Sequence, residues 1–147
     1  MRRIAAVIAV LGIVAAVGFV AFRCRPQPDD RALIERLVAD AQVAVQRRDL
    51  RKIMRIIDDN YHDRYGYTKQ DLRRLAISAG RSFHSIRVAP TIKGIVVADG
   101  KASLQVDVLV WVDEQLQPDQ YTIRATLVKR GRQWKVISSD GWQQTEE

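Results

Sequence analysis

The hydrophobic period of this chain changes once, near Ser85, from 3.6 to 2, and that change limits its folds more than any single motif does. Before Ser85, apolar residues recur at helical spacing. After it, β-branched residues alternate with polar ones, and the connections are short enough that neighbouring strands must run antiparallel. The pattern predicts an α+β domain: three helices first, then a four-strand antiparallel meander.

In the helical half, Leu33, Ile34, Leu37, Val38, Ala41, Ala44 and Val45 mark one face of an amphipathic helix. Asp29 or Asp30 would cap it, and it ends near Arg47 and Arg48. Asp49 caps a shorter helix with Leu50, Ile53, Met54, Ile56 and Ile57 inward, which stops at Asp58-Asp59-Asn60. A polar, aromatic loop from Asn60 to Tyr67 follows. Thr68 and Asp71 then form a capping box for a third helix, whose apolar face is Leu72, Leu75, Ala76, Ala79 and Phe83.

In the strand half, Pro90 marks an edge, a bend or a strand start between Ile86-Val88 and Ile92-Val97. Asp99-Gly100 is a two-residue hairpin signal. It leads into the clearest strand, where Ala102, Leu104, Val106, Val108, Val110 and Val112 share one face and Ser103, Gln105, Asp107, Leu109, Trp111 and Asp113 the other. After Pro118-Asp119 a strand buries Tyr121, Ile123, Ala125 and Leu127 and exposes Thr122, Arg124, Thr126 and Val128. A turn at Arg130-Gly131-Arg132 joins it to the last strand, with Trp134 and Val136 inward and Lys135 and Ile137 outward.

Ahead of this domain, Ile4 to Phe22 is a run of nineteen uncharged residues, nearly all aliphatic. As a helix it would reach roughly 28 Å, about the thickness of a bilayer's hydrocarbon core. A retained anchor over residues 1–25, a cleaved signal and a lipoprotein are the alternatives. The retained anchor is favoured, because the Ala16-x-Gly18 pair lies inside the run and Arg23 stands where a lipobox before Cys24 would have a small residue. Residues 26–30, with Pro26 and Pro28, read as a linker, and 31–147 as the domain. The short leading tail favours a single-pass inner-membrane protein with the domain in the periplasm or outside the cell.

The formal charge of +7 suggests nucleic acid until it is located. Arg2, Arg3, Arg23 and Arg25 flank the apolar run, and the remaining 20 basic residues face 17 acidic ones. The sequence therefore predicts no nucleic-acid partner. One cysteine excludes an intrachain disulfide framework, and two histidines without ligand spacing predict no metal. No cofactor motif is present.

Three helices and a meander ending in Gly131-Arg132-Gln133-Trp134-Lys135-Val136-Ile137, together with the Tyr61 to Gly66 loop, resemble the nuclear transport factor 2-like (SnoaL-like) superfamily over about Asp29 to Trp142. The resemblance implies helices lying in the concave side of a curved sheet, making a cone. That superfamily hosts enzymes, binding proteins and scaffolds, so the function must be argued from the site. Members similar to ketosteroid isomerase place carboxylates in the pocket, whereas the inward strand positions here are aliphatic or aromatic.

The candidate pocket residues are Tyr61, His62, Asp63, Tyr65, Phe83, Tyr121, Trp134 and Trp142, with Tyr67 and His84 nearby. His62 and Asp63 would be base and orienter at the mouth; against this, Asp63 fits a turn carboxylate and the tyrosines fit packing. Leu109 and Trp111, with Val128 and Ile137 on neighbouring strands, form a candidate interface for a homodimer or protein partner. The leading expectation is a non-enzymatic, membrane-tethered interaction or assembly module. The alternative is binding or conversion of a small hydrophobic ligand inside the cone.

Overall fold

Alternation along Lys101–Val112 organises the sheet, because it gives one strand a wholly apolar face and its neighbours a surface to match. In this computed structural model, which describes residues 28–142, that strand is β2. Beside it run β1 (Ile86–Ala98), β3 (Asp119–Arg130) and β4 (Gln133–Asp140), in the antiparallel order β1-β2-β3-β4. Asp99 and Gly100 both take positive φ, 51° and 72°, as a two-residue hairpin with the twist of its strands requires. The apolar run 4–22 and Cys24 lie outside the described residues. Among the described residues no helix is long and apolar enough to cross a membrane.

Two irregularities shape the sheet. Pro90 lies within a continuous β1, opposite Val108, on an edge strand where its missing N–H is tolerated. The break falls at Lys93 instead, the extra residue between Ile92 and Gly94. On β4 the pairing passes from Val136 to Ser138, so Ile137 is the bulged residue. The simple inward-outward alternation predicted for the last strand is therefore interrupted at Ile137, and Ser139 falls opposite the buried Ala125.

The first helix, α1 (Pro28–Gln46), begins earlier than the sequence suggested. Residues 28–30, assigned to the linker, form its first turn, where proline costs no hydrogen bond. Asp30 does not cap the helix. It is buried, and its carboxylate accepts from Lys129 Nζ at 2.7 Å and Trp134 Nε1 at 3.2 Å. That pins the start of α1 to the β3–β4 turn. At its other end Gln42 donates to the Val88 carbonyl (2.9 Å) and Gln46 accepts from the Val88 N–H (3.1 Å). Two glutamines one turn apart thus cover the edge of β1.

The second helix, α2 (Leu50–Ile56), is capped by Asp49, and the third, α3 (Lys69–Ser82), by the Thr68–Asp71 box, as expected. Leu75 is the exception on the predicted apolar face of α3: it lies at the edge of that face and is 42% exposed. The buried core is concentrated near the β3–β4 turn, in Ile34, Ala102, Leu104, Leu127 and Trp134. Towards the far end of β2, Val108, Val110 and Val112 are only half-buried. The cone is packed at one end and hollow at the other.

Candidate apolar cavity

The hollow end is a cavity of about 490 Å³ between α1, α3 and the inner face of β1, β2 and β3. Its wall is Leu37, Val38, Ala41 and Val45 from α1, Ala79 and Phe83 from the end of α3, and the valines of β2, with Ile86, Val88, Pro90, Ile123 and Val136 nearby. Period-2 alternation places the valines there, and the 3.6 period of α1 supplies the opposite wall. The one polar side chain in the wall is Gln42, whose amide is spent on Val88. None of these side chains titrates, so the wall offers no general acid or base.

A second chamber of about 440 Å³ shares Val45, Ala79 and Ile86 with the first and continues to Leu50, Ile53 and Ile77. Arg48 is its only charged lining residue. Arg48 follows α1 with φ at 54° and donates through Nη1 to the carbonyl of Phe83 (3.1 Å). In the sequence it reads as one more cation on a solvated helix face, and nothing there marks it as part of a chamber.

Of the residues the sequence nominated for the pocket, only Phe83 lines the cavity. Tyr61 and Asp63 are buried elsewhere, where the loop after α2 meets the end of β4. The Asp63 carboxylate takes the Tyr61 hydroxyl at 2.9 Å on one oxygen, and the N–H groups of Tyr65 and Tyr67 at 2.9 and 3.0 Å on the other. This is a turn carboxylate with every partner from its own loop. Burial pushes the Tyr61 phenol up to about 12, so it is a poor acid at neutral pH.

His62 is exposed and His84, 98% exposed, faces Asp113 at 3.8 Å; neither meets Asp63 as the base of an acid–base pair. Trp142 packs edge-on against Tyr65 and Tyr67, with ring centroids 5.6 and 5.2 Å apart. Trp134 is in the core, fixed to Asp30. Tyr121 pairs with Val108 and is half-buried, outside the cavity wall. Among the described residues no group of histidine, cysteine or carboxylate side chains is arranged to hold a metal.

Three of the four interface candidates, Leu109, Trp111 and Val128, share a sheet face but not a location. Trp111 pairs with Arg87, whose guanidinium stacks over the indole at 4.7 Å, and Leu109 pairs with Ala89 and Gln120 at the same end. Val128 pairs with Lys101 at the opposite end of β2, and Ile137 is the β4 bulge. Between them the outer face carries Gln105, Asp107, Thr122 and Arg124. Alternation fixes which face a residue takes, and says nothing of how far apart two residues on it lie.

No protein-family model matches the chain, and no curated protein does. Solved structures share its architecture. A Bdellovibrio bacteriovorus protein, Bd1075, aligns with TM-score 0.67 at 16% identity over 74% of this chain, which spans 39% of that protein's length. A putative scytalone dehydratase from Novosphingobium aromaticivorans aligns with TM-score 0.67 at 15% identity, over 79% of this chain and 89% of that one. A nuclear transport factor 2-like protein from Cytophaga hutchinsonii aligns with TM-score 0.62 at 17% identity, over 78% and 96%. Three helices on a four-strand antiparallel sheet, with these neighbours, give the chain the nuclear transport factor 2-like cone fold.

Proposed function

We infer that this chain is a non-catalytic binding module whose cone takes a small hydrophobic molecule, and that residues 4–22 hold it at a membrane. The carrying observation is the cavity of about 490 Å³ walled by aliphatic side chains. That volume lies in the range of small-molecule sites, and an apolar wall without titratable groups favours ligands by desolvation alone. A protein of the same fold described as a putative scytalone dehydratase supports reading the cone as a place for a small molecule. Here the room is kept and the wall carries no acid or base. The assembly reading is less well supported, because Leu109 and Trp111 stand far from Val128.

The test is displacement of an environment-sensitive naphthalene dye from a form starting at residue 26. Ala41→Phe and Val108→Phe fill the cavity from opposite walls. Each should weaken the dye by about tenfold, roughly 1.4 kcal/mol, without lowering the thermal midpoint. Unchanged dye affinity in both would sink the reading.

A further inference from the structure

We propose that the end of the domain formed by the β1–β2 and β3–β4 turns rests on an anionic lipid surface, so that the cavity opens away from the bilayer. This rests on the reading of residues 4–22 as a membrane span. Asp30, in the first turn of α1, is bound to Lys129 and Trp134, so the chain enters the domain beside the β3–β4 turn. Lys129 in turn donates its backbone N–H to Gly100 at 2.9 Å, which places the β1–β2 turn at the same end.

Chain length then constrains the orientation. Phe22 and Pro28 are six peptide steps apart, at most about 20 Å. Strand β2 runs from Lys101 at this end to Val112 at the other, eleven steps or roughly 36 Å. The turn end is tied close to the headgroups, and the far end can stand clear of them.

Exposed cations at the turn end agree with this pose. The turn end presents Lys101 and Arg132, both exposed, beside Arg130 and Lys129, with Asp99, Asp30 and Asp58 close by and Asp29 in the first turn of α1. Asp30 and Asp58 each neutralise one of the inner cations, which leaves Lys101 and Arg132 for headgroups. The far end carries Asp113 and Glu114 in the β2–β3 connection and Asp119 where β3 begins, with Arg87 on the Trp111 indole and Arg48 on the Phe83 carbonyl beside them. Basic residues near an anionic surface each gain attraction and acidic ones are repelled. The cavity wall formed by Ile86, Val88, Val110 and Val112 belongs to the far end. In this pose that part of the wall lies on the aqueous side, away from the leaflet beneath.

The experiment uses the full chain with Cys24→Ser, reconstituted in phosphatidylglycerol-containing vesicles, with a fluorophore on Gln133→Cys or Glu114→Cys and a quencher on the lipid headgroups. Quenching should be several times greater at position 133 than at 114. The difference should shrink in pure phosphatidylcholine vesicles and in a Lys101→Glu/Arg132→Glu variant. Equal quenching, stronger quenching at 114, or indifference to charge reversal overturns the proposed pose. Alkaline carbonate extraction is run on the same vesicles. A chain washed off by carbonate overturns the membrane span and the pose together; a chain retained with the quenching reversed overturns the pose alone.

Discussion

The hydroxyls of Tyr61 and Ser139 lie 2.8 Å apart across seventy-eight positions of the chain, tying the loop after α2 to the end of β4. The same Tyr61 oxygen donates to Asp63, so one phenol holds both the loop's internal carboxylate and the last strand. Tyr61→Phe should leave Asp63 short of a donor in a buried place and cost about 1–3 kcal/mol in urea unfolding. The variant should also change the alkaline limb. The folded Tyr61 is raised to about 12 from its ordinary 10.0, so the wild-type advantage is full below about pH 10 and declines as pH rises towards 12. A wild-type advantage over Tyr61→Phe that stays constant across that interval would contradict this.

On the acid side the relevant pair is Asp58 with Arg130, joined through Nε at 2.9 Å and Nη2 at 3.3 Å. The guanidinium holds the Asp58 carboxyl below its ordinary 3.8. The depressed value means that stability is present above about pH 4 and is lost as pH falls through the folded value. Arg130→Gln should cost about 1–3 kcal/mol at neutral pH, because the buried Asp58 loses its main donor while Arg130 itself is half-exposed. Its deficit relative to wild type should narrow below pH 4, which a series of denaturant midpoints would read.

Gly141 is held at φ 86°, and a Cβ there would collide with the backbone carbonyl of Thr122. Gly141→Ala should therefore push the end of β4 off β3 and detach Trp142 from Tyr65 and Tyr67. A loss of about 2 kcal/mol or more is expected, with a change in tryptophan emission. Gly131, at φ 62° with nothing near its Cβ position, is the control: Gly131→Ala should cost about 1 kcal/mol, from the backbone alone.

The edge of β1 depends on Gln42 and Gln46. Replacing both by leucine removes two hydrogen bonds to Val88, at about 1 kcal/mol each, and uncovers an edge strand. The double variant should show concentration-dependent association in sedimentation; a monomer as stable as wild type would refute the edge role.

The sequence made the elements legible where a local rule acts alone. Asp99-Gly100 announces its hairpin, Thr68 and Asp71 their capping box, and the valines of β2 their shared face. It did not reveal what depends on distant partners. Asp30 looks like a cap because its partners, Lys129 and Trp134, are about a hundred residues away. The bulge at Ile137 follows from pairing with β3, which no property of β4 encodes. The cavity was hidden for a related reason. Val108, Val110 and Val112 have the same alternation as Ala102, Leu104 and Val106, and the pattern tells which face is apolar without telling whether anything packs on it. The aromatic loop drew attention instead, because buried tyrosines and carboxylates stand out, and they proved to be fastening one another.

A cone that is packed at one end and hollow at the other is two materials in one sheet. Backbone amides from Ala102 to Val106 should exchange with solvent only on global unfolding, whereas those towards Val112 open locally, lacking side chains to press on them. A molecule filling the void would supply the missing half of the core. Occupancy then becomes a folding variable: a ligand at a hundred times its dissociation constant would add about 2.7 kcal/mol. The empty protein would be the more easily unfolded and degraded form, and its abundance would record how much ligand its surroundings contain.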